Sequence, residues 1–168
     1  MDFSGQPVRY ALAELVNIHE EAQRFEPIHR IVTKTDPEAL LEAMRAQICC
    51  EEGCPLPWYF AEQCVSLCLA PSKGQLPVEL LQSFLDEYLS SHEGEIDYIH
   101  GEEVLKELSG AEHAIGFVLP EIPKDSFFQS ILERGVFPRK TFSTGHAREK
   151  RYYLEARDLT GEYSSHRE

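Results

Sequence analysis

The chain has 168 residues and a mass of 19.2 kDa, with 42% hydrophobic and 27% charged residues, enough for one compact unit with a real core and far from the composition of disordered chains. Twenty-nine acids against sixteen Lys and Arg give a net charge of −13, which argues against general binding to nucleic acid or to an anionic membrane. The longest stretch without a charged residue, Gln63 to Ser72, is ten residues, well short of the ~20 apolar residues a membrane helix requires.

The first twenty residues carry Asp2, Arg9 and Glu14 and show no basic start followed by an apolar run, so no secretory signal is visible. Five Cys beside a single Asn, Asn17, and no glycosylation sequon fit a reducing cytoplasm better than a disulfide scaffold.

In chain order, Ala11 to His19 reads as a strand, and Pro27 to Thr33, with Ile28, Ile31, Val32 and Thr33, as a second. Asp36-Pro37-Glu38 supplies an N-cap, a proline at the first helical position and an acid near the positive helix end, predicting a helix from Pro37 to about Gln47. Gly53, Pro55 and Pro57 predict a loop over Glu51 to Trp58, and Tyr59 to Ala70 reads as one strand. The clearest element is the amphipathic helix Pro77 to Ser91, with Val78, Leu81, Leu85, Tyr88 and Leu89 on one face. A strand (Ile96 to Ile99), a helix (Glu102 to Leu108), a strand (Ala114 to Leu119) and a helix (Ser126 to Arg134) follow, each helix halted by a glycine, Gly110 and Gly135. A basic loop and a strand, Arg151 to Ala156, close the chain. The expected fold is α+β, a mixed, largely antiparallel sheet with helices packed on one face. Residues 1–158 form the domain and residues 159–168 a polar tail.

Charge is uneven along the chain. Arg134 to Arg157 holds seven bases and two acids, a local +5, which leaves the other 144 residues at −18. Such asymmetry points to an anion site or to an acidic partner surface. No phosphate-loop motif and no Gly-x-Gly occurs. What remains is the segment Pro138 to Arg151, in which Arg139, Lys140, Lys150 and Arg151 combine with the hydroxyls of Thr141 and Ser143 and a flexible Gly145. Guanidinium forks, ammonium groups and hydroxyl donors are what a phosphate or carboxylate needs, although a basic loop on an acidic protein can equally pair with its own surface.

Two Cys-x-x-x-Cys pairs, Cys50/Cys54 and Cys64/Cys68, number enough thiols for zinc, but the spacing is wrong for a knuckle and small buried hydrophobes are the better reading. Neither His-Glu-x-x-His nor Gly-x-Ser-x-Gly is present. Two acid/His pairs at a separation of three stand out: Glu26 with His29, which precedes Arg30, and Asp97 with His100. An acid can fix a histidine tautomer for proton transfer, but the same pairing often only satisfies a polar group at a sheet end.

Six stretches, Tyr10 to His19, Phe25 to Arg30, Leu81 to Asp86, Asp97 to Gly101, Ile115 to Pro120 and Gly135 to Ser143, stand together in an order that resembles the carboxy-terminal half of the prokaryotic family catalogued as domain of unknown function 1015. The resemblance implies a carboxy-terminal part of a longer architecture, because the Gly-His-His or Gly-Asn-His motif of the family's first half is absent. Pro138 to Thr141 fall on its Pro-x-Lys-Ser/Thr pattern, and His29-Arg30 and Asp97 to Gly101 on its other polar signatures. Thr144 and His146 depart from the Met and Glu expected there. No catalytic role or cofactor carries over. The expectation is a half-protein that completes a site for a phosphorylated or carboxylated metabolite or nucleotide, or else a non-catalytic domain whose basic loop docks an acidic partner, its missing half or a second copy.

Overall fold

A computed structural model describes residues 25–61 and 63–144, without the side chains of residues 124–126. The elements in chain order are β1 (Phe25–Thr33), α1 (Pro37–Gln47), β2 (Cys49–Phe60), β3 (Gln63–Leu69), α2 (Pro77–Leu89), β4 (Glu95–His100), α3 (Glu102–Leu108), β5 (Ile115–Phe117), α4 (Lys124–Arg134) and β6 (Phe142–Thr144). The strands form one six-stranded sheet in the order β3-β2-β5-β1-β4, with β6 paired to the start of β1, and every pairing is antiparallel. The fold is α+β. The strands expected over Ala11 to His19 and Arg151 to Ala156, together with the tail, lie outside the described residues.

Local chemistry accounts for the helix starts. Asp36 Oδ1 accepts from the backbone N–H of Glu38 and Ala39 at 3.0 and 3.2 Å, and Pro37 occupies the first position of α1. In α2 the first residue is again proline, and Glu79 Oε2 accepts from Leu76 N at 2.7 Å, satisfying a backbone donor at the helix start. The α2 stripe is buried as its spacing predicts: Val78, Leu81, Phe84, Leu85 and Tyr88 join Leu40, Leu41 and Met44 of α1 over one face of the sheet. Each fully buried leucine among them contributes roughly 2 kcal/mol of transfer free energy.

Three expectations require correction. The segment Glu51 to Trp58 is strand, part of β2, in spite of its two prolines. Val118 N donates to Pro57 O at 2.8 Å, so the backbone of Pro57 faces β5. Pro55, two residues earlier, faces the same way, and the N–H groups that proline lacks fall outside the β2–β3 ladder. Gly53 sits where this strand is kinked by an irregularity in its pairing, and a Cβ there would lie 2.0 Å from Leu69 O. The expected single strand Tyr59 to Ala70 is a hairpin: Tyr59 and Phe60 end β2, Phe60 pairs with Gln63, and Ala61 reverses the chain at φ +47°. Finally, the helices do not share one face. Side chains alternate along β1, so Val32 enters the core under α1 and α2 while Ile31 joins Ile99, Ala114 and Leu105 of α3 on the other side. A Cβ on Gly116 would lie 2.2 Å from Ser109 Oγ and 2.8 Å from Leu105 Cγ, so glycine in β5 is what lets the end of α3 lie close on the sheet.

Candidate functional site around Tyr98

The strand pairing that sets β1 against β4 aligns Arg30 with Tyr98. Arg30 is completely buried, and its donors are spent on the protein itself. Nε donates to Gln82 Oε1 at 2.8 Å, Nη1 to the carbonyls of Ile28 at 2.6 Å and Lys140 at 3.0 Å, and Nη2 to Arg139 O at 3.3 Å. Gln82 in turn donates from Nε2 to Asp86 Oδ1 at 2.9 Å, so one amide links the buried cation to a surface carboxylate. Burial pushes the Arg30 guanidinium down to about 10, which leaves it charged at neutral pH.

This guanidinium shapes the turn that follows α4. It holds two successive carbonyls, those of Arg139 and Lys140, while Thr141 Oγ1 donates to Pro138 O at 2.5 Å and Ile28 N donates to Thr141 O at 3.4 Å. Lys140 adopts φ +52°, a conformation that non-glycine residues rarely take and that the bond from Arg30 stabilises. With the backbone turned inward, the side chains of Arg139 and Lys140 are exposed. Arg139 Nε donates to the Tyr98 hydroxyl at 2.8 Å. The cationic centres of Arg30, Arg139 and Lys140 lie 4.6, 5.4 and 5.3 Å from the centre of the Tyr98 ring, within cation–π range.

Of the residues singled out by sequence, Arg30, Arg139 and Lys140 therefore come together. Thr141 and Ser143 come with them but are buried, and the Thr141 hydroxyl is turned to the backbone, so neither stands at the surface as a ligand. His29 does not join them. As the neighbour of Arg30 on a strand it points to the α3 side of the sheet, where it is buried and its Nδ1 accepts from Leu119 N at 3.1 Å. That bond places the neutral ring's proton on Nε2, and burial lowers the ring's basicity against the opposing pull of the Glu102 carboxylate. The expected acid/His pairs meet the same obstacle, because strand residues three apart face opposite ways. Glu102, whose Oε1 accepts from the Tyr59 hydroxyl at 2.6 Å, is the acid that acts on His29. Asp97 is exposed and accepts from Tyr98 N at 2.7 Å, and His100 is half-buried opposite Ile28. Lys150 and Arg151 lie outside the described residues.

The cysteines are not the buried hydrophobes expected. Cys50 and Cys64 are exposed and Cys49, Cys54 and Cys68 half-buried, with Cys49 packed against the core under α1 and α2. Partial burial pushes the Cys49 and Cys54 thiols up, so neither is activated as a thiolate. Among the described residues no group of three His, Cys, Asp or Glu is arranged to hold a metal ion, and no helix is long and apolar enough to cross a membrane.

A cleft of about 690 Å³ lies well away from Tyr98, between the β1–α1 turn, the end of α2 and residues 111–114; it is lined by Lys34, Asp36, His92, Glu112 and His113 among others. Its polar groups are largely engaged: Lys34 Nζ with Glu95 at 2.7 Å, His113 with Glu112 at 3.5 Å, Asp36 with the α1 backbone, and His92 Nδ1 with Tyr88 O at 2.9 Å. Size favours this cleft and chemistry favours the Tyr98 cluster, where cations stand exposed and oriented.

The residues that sequence reasoning missed are Tyr98 and Gln82. Both owe their role to register and packing partners distant in the chain, and neither carries a local signal. No family model matches the chain, nor does any curated protein or solved structure, and the functional reading rests on this geometry.

Proposed function

We propose that the chain is a non-catalytic binding domain that docks an acidic segment of a polypeptide partner on the patch formed by Tyr98, Arg139 and Lys140. The observation that carries this reading is the use of a buried arginine to orient two exposed cations around one tyrosine ring. A flexible surface arginine or lysine loses side-chain entropy when it binds; a turn clamped through its own carbonyls has lost part of that freedom beforehand. The separation of His29 from the two exposed cations by the thickness of the sheet leaves them without an acid/base partner from that residue.

The test is fluorescence anisotropy of a labelled decaglutamate peptide titrated with the wild-type chain and with the Arg139→Ala/Lys140→Ala double variant. The wild type binds, more weakly as salt is raised, and the double variant loses roughly tenfold or more in affinity. Equal binding by the two proteins, or binding of phosphate and ATP with none of the peptide, would overturn the proposal.

A further inference from the structure

The cleft beside the β1–α1 turn, about 690 Å³, has the size of a small-molecule site. Two hydroxyls on its lining are buried yet unpaired. Thr35 is 5% exposed and Tyr88 8%, and neither side-chain oxygen has a hydrogen-bond partner in the protein. Buried hydroxyls are ordinarily bonded. Among the described residues the one fully enclosed side-chain polar atom without a partner is Trp58 Nε1, so the Thr35 and Tyr88 hydroxyls are not sealed in the core and open on the cleft. Burial, and after it the nearby Asp36 carboxylate, pushes the Tyr88 phenol up, which keeps it protonated at neutral pH. Asp36 itself spends Oδ1 on both N–H groups at the start of α1 and leaves Oδ2 without a partner.

One wall of the cleft is aromatic and held in place. Phe84, Tyr88 and His92 follow one another at a spacing of four along α2 and the turn after it, with ring centres 5.8 and 4.0 Å apart. The Tyr88 and His92 rings are within 5° of parallel. His92 Nδ1 lies 2.9 Å from Tyr88 O, and since a carbonyl only accepts, Nδ1 carries the proton of the neutral ring. Tyr88 covers one face of this exposed imidazole and leaves the other for a further ring. The backbone is fixed as well: Lys34 and His113 adopt φ +56° and +61°, and Thr35 N donates to His113 O at 3.3 Å, tying the two turns together. Backbone held in this sparsely populated region collects at ligand sites.

Charge selects the ligand. Lys34 is engaged by Glu95, whereas Asp36, Glu93 and Glu112 all line the cleft, so an anion meets like charge there and a cation does not. We propose that the cleft binds a small aromatic amine, its ring stacked on the outer face of His92 and its ammonium, on a short arm, donating to Asp36 Oδ2 and to the Thr35 and Tyr88 hydroxyls. An ammonium has three donors, and these are three oxygens free to accept. The ring gains a stacking contact on a wall that is already ordered. This site is opposite in charge to the Tyr98 patch and independent of it.

Calorimetric titration of the full chain with tryptamine, indole-3-acetate and ethylamine separates the contributions. Tryptamine binds at a single site with a sub-millimolar constant. Indole-3-acetate, which replaces the ammonium by a carboxylate, and ethylamine, which lacks the ring, each bind at least about tenfold more weakly. Tyr88→Phe removes the hydroxyl alone, and Asp36→Asn removes the charge while keeping a helix cap; each weakens tryptamine roughly fivefold. His92→Ala, at an exposed position, weakens tryptamine roughly tenfold and leaves ethylamine unchanged. No saturable binding of tryptamine, equal binding of indole-3-acetate, or a tryptamine affinity unchanged in both His92→Ala and Tyr88→Phe would each overturn the proposal.

Discussion

Arg30 holds its charge out of water with a hydrogen bond to an amide and four to the backbone carbonyls of Ile28, His29, Arg139 and Lys140, so what matters is the fork and not the charge alone. Arg30→Lys keeps the cation but cannot reach Gln82 and the Arg139 and Lys140 carbonyls together. The variant should lose about 3 kcal/mol in urea unfolding, as expected when a buried charge-assisted network is broken. It should also weaken peptide binding although Arg139 and Lys140 are untouched. His29 makes a prediction of opposite kind. Its folded pKa lies below the ordinary 6.5 because burial disfavours the cation. Between that lowered value and 6.5 the unfolded chain binds the proton and the folded chain does not, so stability falls as pH falls through the window. Denaturation at pH 7.5 and at pH 5 should show a larger loss for wild type than for His29→Gln, whose side chain does not titrate.

At the scale of elements, what could be read from the residues depended on whether the signal was local. The starts of α1 and α2 were legible because Asp36, Pro37 and Pro77 act on their own turn, and the α2 stripe because its spacing repeats over thirteen residues. β2 was not legible, since its prolines are tolerated only through the placement of β5 and β3 beside them, which no nearby residue reports. The same holds for α3, whose position on the second face depends on Gly116, a β5 residue outside the helix. Gly116→Ala tests that contact. The new methyl cannot fit against Ser109 and Leu105 without shifting α3, and should cost roughly 2 kcal/mol in stability, measured as a lowered urea midpoint; pairing it with Leu105→Ala should cost less than the two changes add up to separately.

For the whole molecule, the charge asymmetry in the sequence pointed to the region Arg134 to Arg157, of which Arg139 and Lys140 stand exposed beside Tyr98. The composition could not show that Arg30 would be buried beneath that surface, or that Tyr98 would be its centre, because both facts come from the pairing of β1 with β4 across some seventy residues of chain. Nor could it show that His29 would point the other way; adjacency in sequence becomes opposition across a sheet. The result is a molecule whose exposed cations gather around Tyr98 on the β1–β4 pair.

The most direct test of the account is an amide-resolved magnetic resonance titration of the chain with the decaglutamate peptide. Shifts should concentrate at Tyr98, Arg139, Lys140 and Thr141 and be quenched by salt. Shifts centred instead on the cleft of Lys34, His92 and His113, or no shifts at any residue, would contradict it.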